Sequence, residues 1–126
     1  MKGKLYTSYF AKLNKGIGLK ISIARFNPKW LKPTDLDCWY KTLSPEVQLL
    51  NDYKYKGISW DEYTQRYLTH LAFDEEPRAE INKLKQLLNS GQDVTVYCYE
   101  KPSDNCHRHL LGSIFRELGY EVEEIK

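Results

Sequence analysis

An α/β fold, a three-layer domain with a small and mostly parallel sheet of about four strands flanked by helices, follows from three observations. First, Val94 to Tyr99 is a β-branched and aromatic run between Gly91 and Pro102, and after a polar loop Leu110, Leu111, Ile114, Phe115 and Leu118 recur at helical spacing. Second, Gly119 ends that helix and Tyr120 to Ile125 alternates as a further strand; strand, helix, strand implies a right-handed crossover and a parallel pair. Third, two more strand candidates, Lys4–Phe10 and Leu19–Arg25, open the chain. With 126 residues, 41% hydrophobic and 13% aromatic, the chain suits one domain, residues 1–126, around one core.

The remaining elements follow in order. Asn14, Gly16 and Gly18 mark a short link after the first strand, and in the second Leu19, Ile21 and Ile23 turn one face inward. Phe26 to Cys38 carries Pro28 and Pro33 and is expected to be irregular. Trp30, Trp39 and Tyr40 pack that loop or stack on a ring, and Cys38 is expected to be a buried small hydrophobe. Ser44-Pro45 supplies a cap and first-turn proline for a helix through about Tyr53. Ser59 to Glu62 is a capping box, after which Trp60, Tyr63, Tyr67 and Leu71 share one face, the tyrosines as core rings or as hydroxyls reaching a ligand. Pro77 opens a third helix with Ile81, Leu84, Leu87 and Leu88 inward, closed by Asn89-Ser90-Gly91. Glu121, Glu123 and Glu124 suit an exposed edge for the last strand.

Chemistry gathers where the signature strand meets its helix. Cys98 and Glu100 fall at the strand exit, and Cys106, His107 and Arg108 in the first helical turn. A helix start has unpartnered N–H groups and a partial positive charge, which favour an anion. Arg108 adds a fork of donors suited to phosphate or carboxylate, and the field favours the thiolate of Cys106. Each role has a structural counterpart. Cys106 is a reactive thiol or an inert buried one; His107 is an acid/base or bonds a backbone carbonyl; Glu100 is a general base or orients Arg108. Ser103 or Asp104 caps the helix, and His109 points to the surface.

If the first two strands join the same parallel sheet, Ser8, Arg25, Cys98 and Glu100 all lie at strand C-terminal ends, the Rossmann-like edge where open α/β sheets bind ligands. Arg25 and Arg108 then serve one anion, or each is held in a salt bridge. The link Ala11–Gly18 is short for a parallel crossover, and an antiparallel pair would move Ser8 to the other edge.

These residues carry a resemblance. Tyr97 to Pro102 followed by Cys106-His107-Arg108 resembles the signature of the domain-of-unknown-function 488 family. Tyr6 to Phe10, Ile21 to Arg25 with Pro28, Leu43-Ser44-Pro45, Tyr63 and Tyr67 agree with it, from about Lys4 to Phe115. The resemblance implies a compact α/β domain and no established activity. Longer members place a helix between their first two strands, where this chain has only Ala11 to Gly18. Phosphatase-like and rhodanese-like sites also set a cysteine at a strand end before a basic loop and helix. Phosphate-wrapping loops need cysteine and arginine closer together than Cys98 and Arg108, so that likeness is architectural only.

Cys98, Cys106, His107 and His109 offer zinc donors, but their spacing matches no common pattern and adjacent Cys106 and His107 chelate poorly from one helical turn. No metal or cofactor is therefore expected. No apolar run approaches a membrane span, Met1 to Lys4 leads into no signal core, and three cysteines argue against a disulfide scaffold, which together favour a cytoplasmic, reduced setting and no membrane. Net charge is +2 but uneven: residues 1–34 carry eight basic side chains and no acidic one. That block is a face for phosphate or a solvated lysine surface. The leading expectation is a small phosphorylated or nucleotide-like ligand at the Cys-His-Arg turn, with Cys106, His107 and Glu100 as reactive groups and Ser8, Arg25, Cys98 and Arg108 as ligand contacts. The rival is a nucleic-acid or protein-binding module using residues 1–34. Oligomeric state is left open.

Overall fold

Five strands lie in one all-parallel sheet of order β3-β2-β4-β1-β5. They are β1 (Leu5–Tyr9), β2 (Leu19–Ser22), β3 (Cys38–Trp39), β4 (Val94–Cys98) and β5 (Val122–Glu124). The computed structural model describes residues 1–99 and 105–125, so Glu100, Ser103 and Asp104 lie outside the described residues. The helices are α1 (Val47–Tyr55), α2 (Trp60–Phe73), α3 (Glu75–Asn89) and α4 (His107–Glu117).

The pleat sorts the side chains. Leu5, Ile21, Val94 and Val96 face one side, where they meet Tyr67 and Leu71 of α2, Leu84 and Leu88 of α3 and Leu111 and Phe115 of α4. Tyr97 faces the other side, against Phe10 and Ala24. That second face is covered by the 3-10 segment Phe10–Lys15 and by Leu31 and Leu36, so the third layer is built from 3-10 turns and loop.

The first two strands are parallel despite the short link. The return needs about 13 Å along the strands and about 10 Å sideways past β4. Six residues of 3-10 helix span about 12 Å, and the extended residues after them supply the rest. Ser8 therefore stays at the same sheet edge as Cys98, opposite Tyr97 in register.

Several boundaries differ from the sequence reading. The short strand β3 sits in the proline-rich stretch, where two residues give no periodicity to read. Cys38 is half-buried rather than buried, and packs against the main core. Helix α1 begins after Glu46, and the Pro45 carbonyl before it accepts from Arg25. Helix α3 begins at Glu75, with Pro77 inside its first turn. Ser59 caps α2 as expected, its hydroxyl accepting from the Glu62 N–H at 3.0 Å. Tyr67 is a core ring whose hydroxyl donates to the Leu43 carbonyl.

Gly18 enters β2 with φ +72°, and a Cβ there would overlap the Asp93 carbonyl, whereas Gly57 (φ +70°) faces open space. Gly18→Ala is expected to cost about 3 kcal/mol or more and Gly57→Ala about 1 kcal/mol, measured by urea unfolding.

Candidate functional site

Strands β2 and β4 are neighbours whose exits diverge. After Ser22 the chain runs through Ile23, whose N–H still bonds the Tyr97 carbonyl at 3.0 Å, to Arg25. After Cys98 it leads to α4, which packs over β1 and β5. The divergence opens a cavity of about 530 Å³ at the C-terminal edge of the sheet. Arg25 from the β2 exit, Cys98 and Tyr99 from the β4 exit, and Asn105, Cys106 and His107 at the start of α4 all line it.

His107 is the hinge of this wall. Its Nε2 lies 2.7 Å from the Ile23 carbonyl, an acceptor only, so Nε2 carries the proton. Nδ1 is then an acceptor, and it lies 3.7 Å from Cys106 Sγ. Burial lowers the His107 pKa to about 4, aided by the charges of Arg108 and Arg25, while the Ile23 bond opposes the shift. At neutral pH the ring is uncharged with its basic nitrogen beside a thiol. Nδ1 is placed to accept a hydrogen bond from a Cys106 thiol, but a ring whose pKa is about 4 is too weak a base to keep its proton.

Cys106 is the N-cap of α4 rather than a member of its first turn, with extended backbone (φ −148°, ψ 146°). Its side chain therefore swings toward Cys98, and the two sulfurs meet. The two are joined as a disulfide, which corrects the expectation of reduced thiols; their Cα atoms are 7.6 Å apart, wider than is usual for such a bond. Cys98 Sγ also accepts from Arg108 Nη1 at 2.8 Å, which favours its thiolate. The objection to adjacent ligands at Cys106 and His107 assumed a helical Cys106 and does not apply. Donor atoms of Cys98, Cys106 and His107 lie within 4.8 Å of one another. The guanidinium against Cys98 nonetheless sets a positive charge where a cation would bind.

The other expected contacts separate into two groups. Arg25 reaches the cavity, steadied by its Nε and Nη2, each 3.1 Å from the Pro45 carbonyl. Arg108 does not line it. Fully buried, it is held by Glu124 through Nε (3.2 Å) and Nη2 (2.9 Å), and its guanidinium lies over the Tyr9 ring. Ser8 is buried too, and its hydroxyl donates to the Ile125 carbonyl. One composite site of Arg25, Arg108 and His107 around a single cavity is therefore corrected to Arg25 with His107, with Arg108 behind them. His109, expected at the surface, instead turns Nδ1 toward Glu124 at 3.8 Å.

Sequence reasoning missed Glu124 as the partner of Arg108. Its signal was alternation: Glu124 is in phase with Val122, opposite Thr7, and so faces the helices rather than solvent. It also missed Asn51 and Lys54 of α1, which line the cavity with Tyr53, Trp60 and Tyr63. No pattern in α1 marks those two. Trp60 stacks on Tyr63 at 4.7 Å, and rings continue through Tyr67 to His107. Trp39 serves the β2 exit, its Nε1–H bonding the Ala24 carbonyl at 2.8 Å.

The depressed pKa of His107 has a pH signature. Between its ordinary value of 6.5 and about 4 the unfolded chain binds a proton that the folded protein refuses, so stability falls as pH falls through that window. The loss is about 3 kcal/mol. His107→Gln retains an N–H for the Ile23 carbonyl but cannot titrate. Urea unfolding at pH 7 and at acid pH should show the unmodified protein losing about 3 kcal/mol more than this variant.

Comparison with known proteins adds one finding. No curated protein matches the chain. The model of the DUF488-N3a family, described as the active DUF488-N3 subclade, matches residues 6–119, which takes in every strand end and helix start of the cavity except those of β5. The chain belongs to the DUF488 family.

Proposed function

We propose that the cavity binds a small phosphorylated ligand carrying a ring, nucleotide-like in its chemistry, with Cys106 and His107 as the reactive pair on its wall. The observation that carries this reading is the composition of the lining. Arg25 and Lys54 are there with the start of α4, and no carboxylate is found among the described lining residues. Tyr53, Trp60 and Tyr63 offer faces for a ring, and Asn51 and Asn105 offer amides for its polar edge. A volume of about 530 Å³ suits a ligand of that size. In the catalytic form of the reading, Cys106 in its reduced form, beside His107 Nδ1 and favoured as thiolate by the start of α4, attacks an electrophilic centre of the bound ligand.

The rival reading uses residues 1–34, but part of that block is engaged elsewhere. Lys4 pairs with Glu123 at 2.7 Å, and Arg25 belongs to the cavity. Among the described residues no helix is long and apolar enough to cross a membrane.

The test is a melting-temperature screen with nucleoside mono- and diphosphates, pyrophosphate and inorganic phosphate. A nucleotide at a hundredfold excess over its dissociation constant should stabilise by about 2.7 kcal/mol. Arg25→Ala and Lys54→Ala should each weaken binding about tenfold, the scale of one charge-assisted contact. Lys12→Ala with Lys15→Ala should leave it intact. Failure of every phosphate, with oligonucleotide binding that falls steeply with salt and depends on the lysine pair, would establish the rival.

A further inference from the structure

The two cavity cysteines have neighbours that suit different halves of one exchange reaction. Cys106 Sγ lies beside the unprotonated Nδ1 of His107, at the start of a helix whose field favours a thiolate. Cys98 Sγ lies 2.8 Å from Arg108 Nη1, which stabilises that sulfur as a thiolate without a base. Cys98 and Cys106 both line the cavity, almost wholly buried, and their sulfurs are joined there in a disulfide. Cys38 is elsewhere, half-buried against the sheet edge at β3. An inert core pair would have neither a base nor a guanidinium aimed at its sulfurs.

We infer that Cys98 and Cys106 form a redox-active dithiol that reduces anionic low-molecular-weight disulfides entering the cavity. Cys106 is the attacking thiol. It reacts as the thiolate favoured by the start of α4, its proton released to water, and its sulfur displaces one half of the disulfide RSSR. The bond Cys106–SR forms, the RS–SR bond breaks, and the departing RS⁻ takes a proton from water as RSH. Cys98, its thiolate held by Arg108, then attacks Cys106 Sγ. The Cys106–SR bond breaks, the Cys98–Cys106 bond forms, and the second RS⁻ leaves and is protonated by water, which had taken the proton of Cys98 when its thiolate formed. The sum is two thiols plus RSSR giving one protein disulfide plus two RSH, so two electrons pass from the protein to the small disulfide. The Cys98–Cys106 bond that ends this exchange is the one the structure shows. Arg25 and Lys54 on the same wall select a disulfide bearing carboxylates. None of this requires that the cavity also hold a phosphorylated ligand.

The probe is glutathione disulfide, with the cationic disulfide cystamine as comparison. Reduced protein carrying Cys38→Ser is exposed to each, quenched in acid, alkylated with iodoacetamide and read by peptide mass. The expected product from glutathione disulfide is a peptide pair joined through Cys98 and Cys106. With Cys98→Ser added, the reaction should stop at a glutathione adduct on Cys106. With Cys106→Ser, Cys98 should react at least tenfold more slowly. Relative to the same protein unfolded in urea, folding should favour glutathione disulfide over cystamine. Two results would overturn the inference: recovery of both cysteines as alkylated thiols, or a lasting adduct on Cys106 beside a free Cys98. The Cys38→Ser protein decides between these outcomes by itself, so a misfolded serine variant at position 98 or 106 does not shelter the inference.

Discussion

The buried guanidinium of Arg108 is the constraint on which the site depends. A cation removed from water survives only when it is paired and hydrogen-bonded on several sides, and here the partners come from separate strands. Glu124 is on β5, Cys98 on β4, and the Tyr9 ring at the end of β1. Because the fork is rigid, meeting these partners together fixes where α4 begins relative to the sheet edge. Removing Glu124 would take from the buried guanidinium the carboxylate that meets two of its nitrogens. Arg108 thus organises the site from behind and leaves contact with solvent-borne anions to Arg25 and Lys54.

With the start of α4 fixed, the next residue back does the chemistry. His107 spans from the helix to the Ile23 carbonyl at the β2 exit and so closes the wall between two diverging strands. That bond also selects the tautomer. Burial removes the charged form, and the carbonyl takes the only N–H, so the lone pair has one direction left, toward Cys106. An extended Cys106 completes the arrangement by directing its sulfur back to Cys98 instead of along the helix.

How much of this the sequence discloses depends on whether a residue's role is written in its neighbours along the chain. Strands β2 and β5 alternate with a period of two, β4 is a β-branched and aromatic run between breakers, and the helices are marked by caps and by spacing near 3.6, so these are legible locally. The strand β3 is not, because Cys38 and Trp39 show no period and are recruited by pairing with Ile21 and Ser22. The Cys-His-Arg turn is conspicuous as chemistry, yet its division of labour is invisible. Arg108 and His107 are adjacent in sequence, but one points to β5 and the other to β2. Glu124 looks like a solubilising edge residue until register shows which face it occupies. Lys54 and Asn51 join the cavity only because α1 folds back over the β2 exit, a tertiary event with no local signal.

The most direct measurement is the nitrogen spectrum of the His107 ring in reduced protein labelled with nitrogen-15, followed from neutral to acid pH. The account predicts a neutral imidazole with the proton on Nε2 and a bare Nδ1, persisting until the pH approaches about 4. An imidazolium at neutral pH, or a neutral ring protonated on Nδ1, would contradict it, since neither presents a base to Cys106.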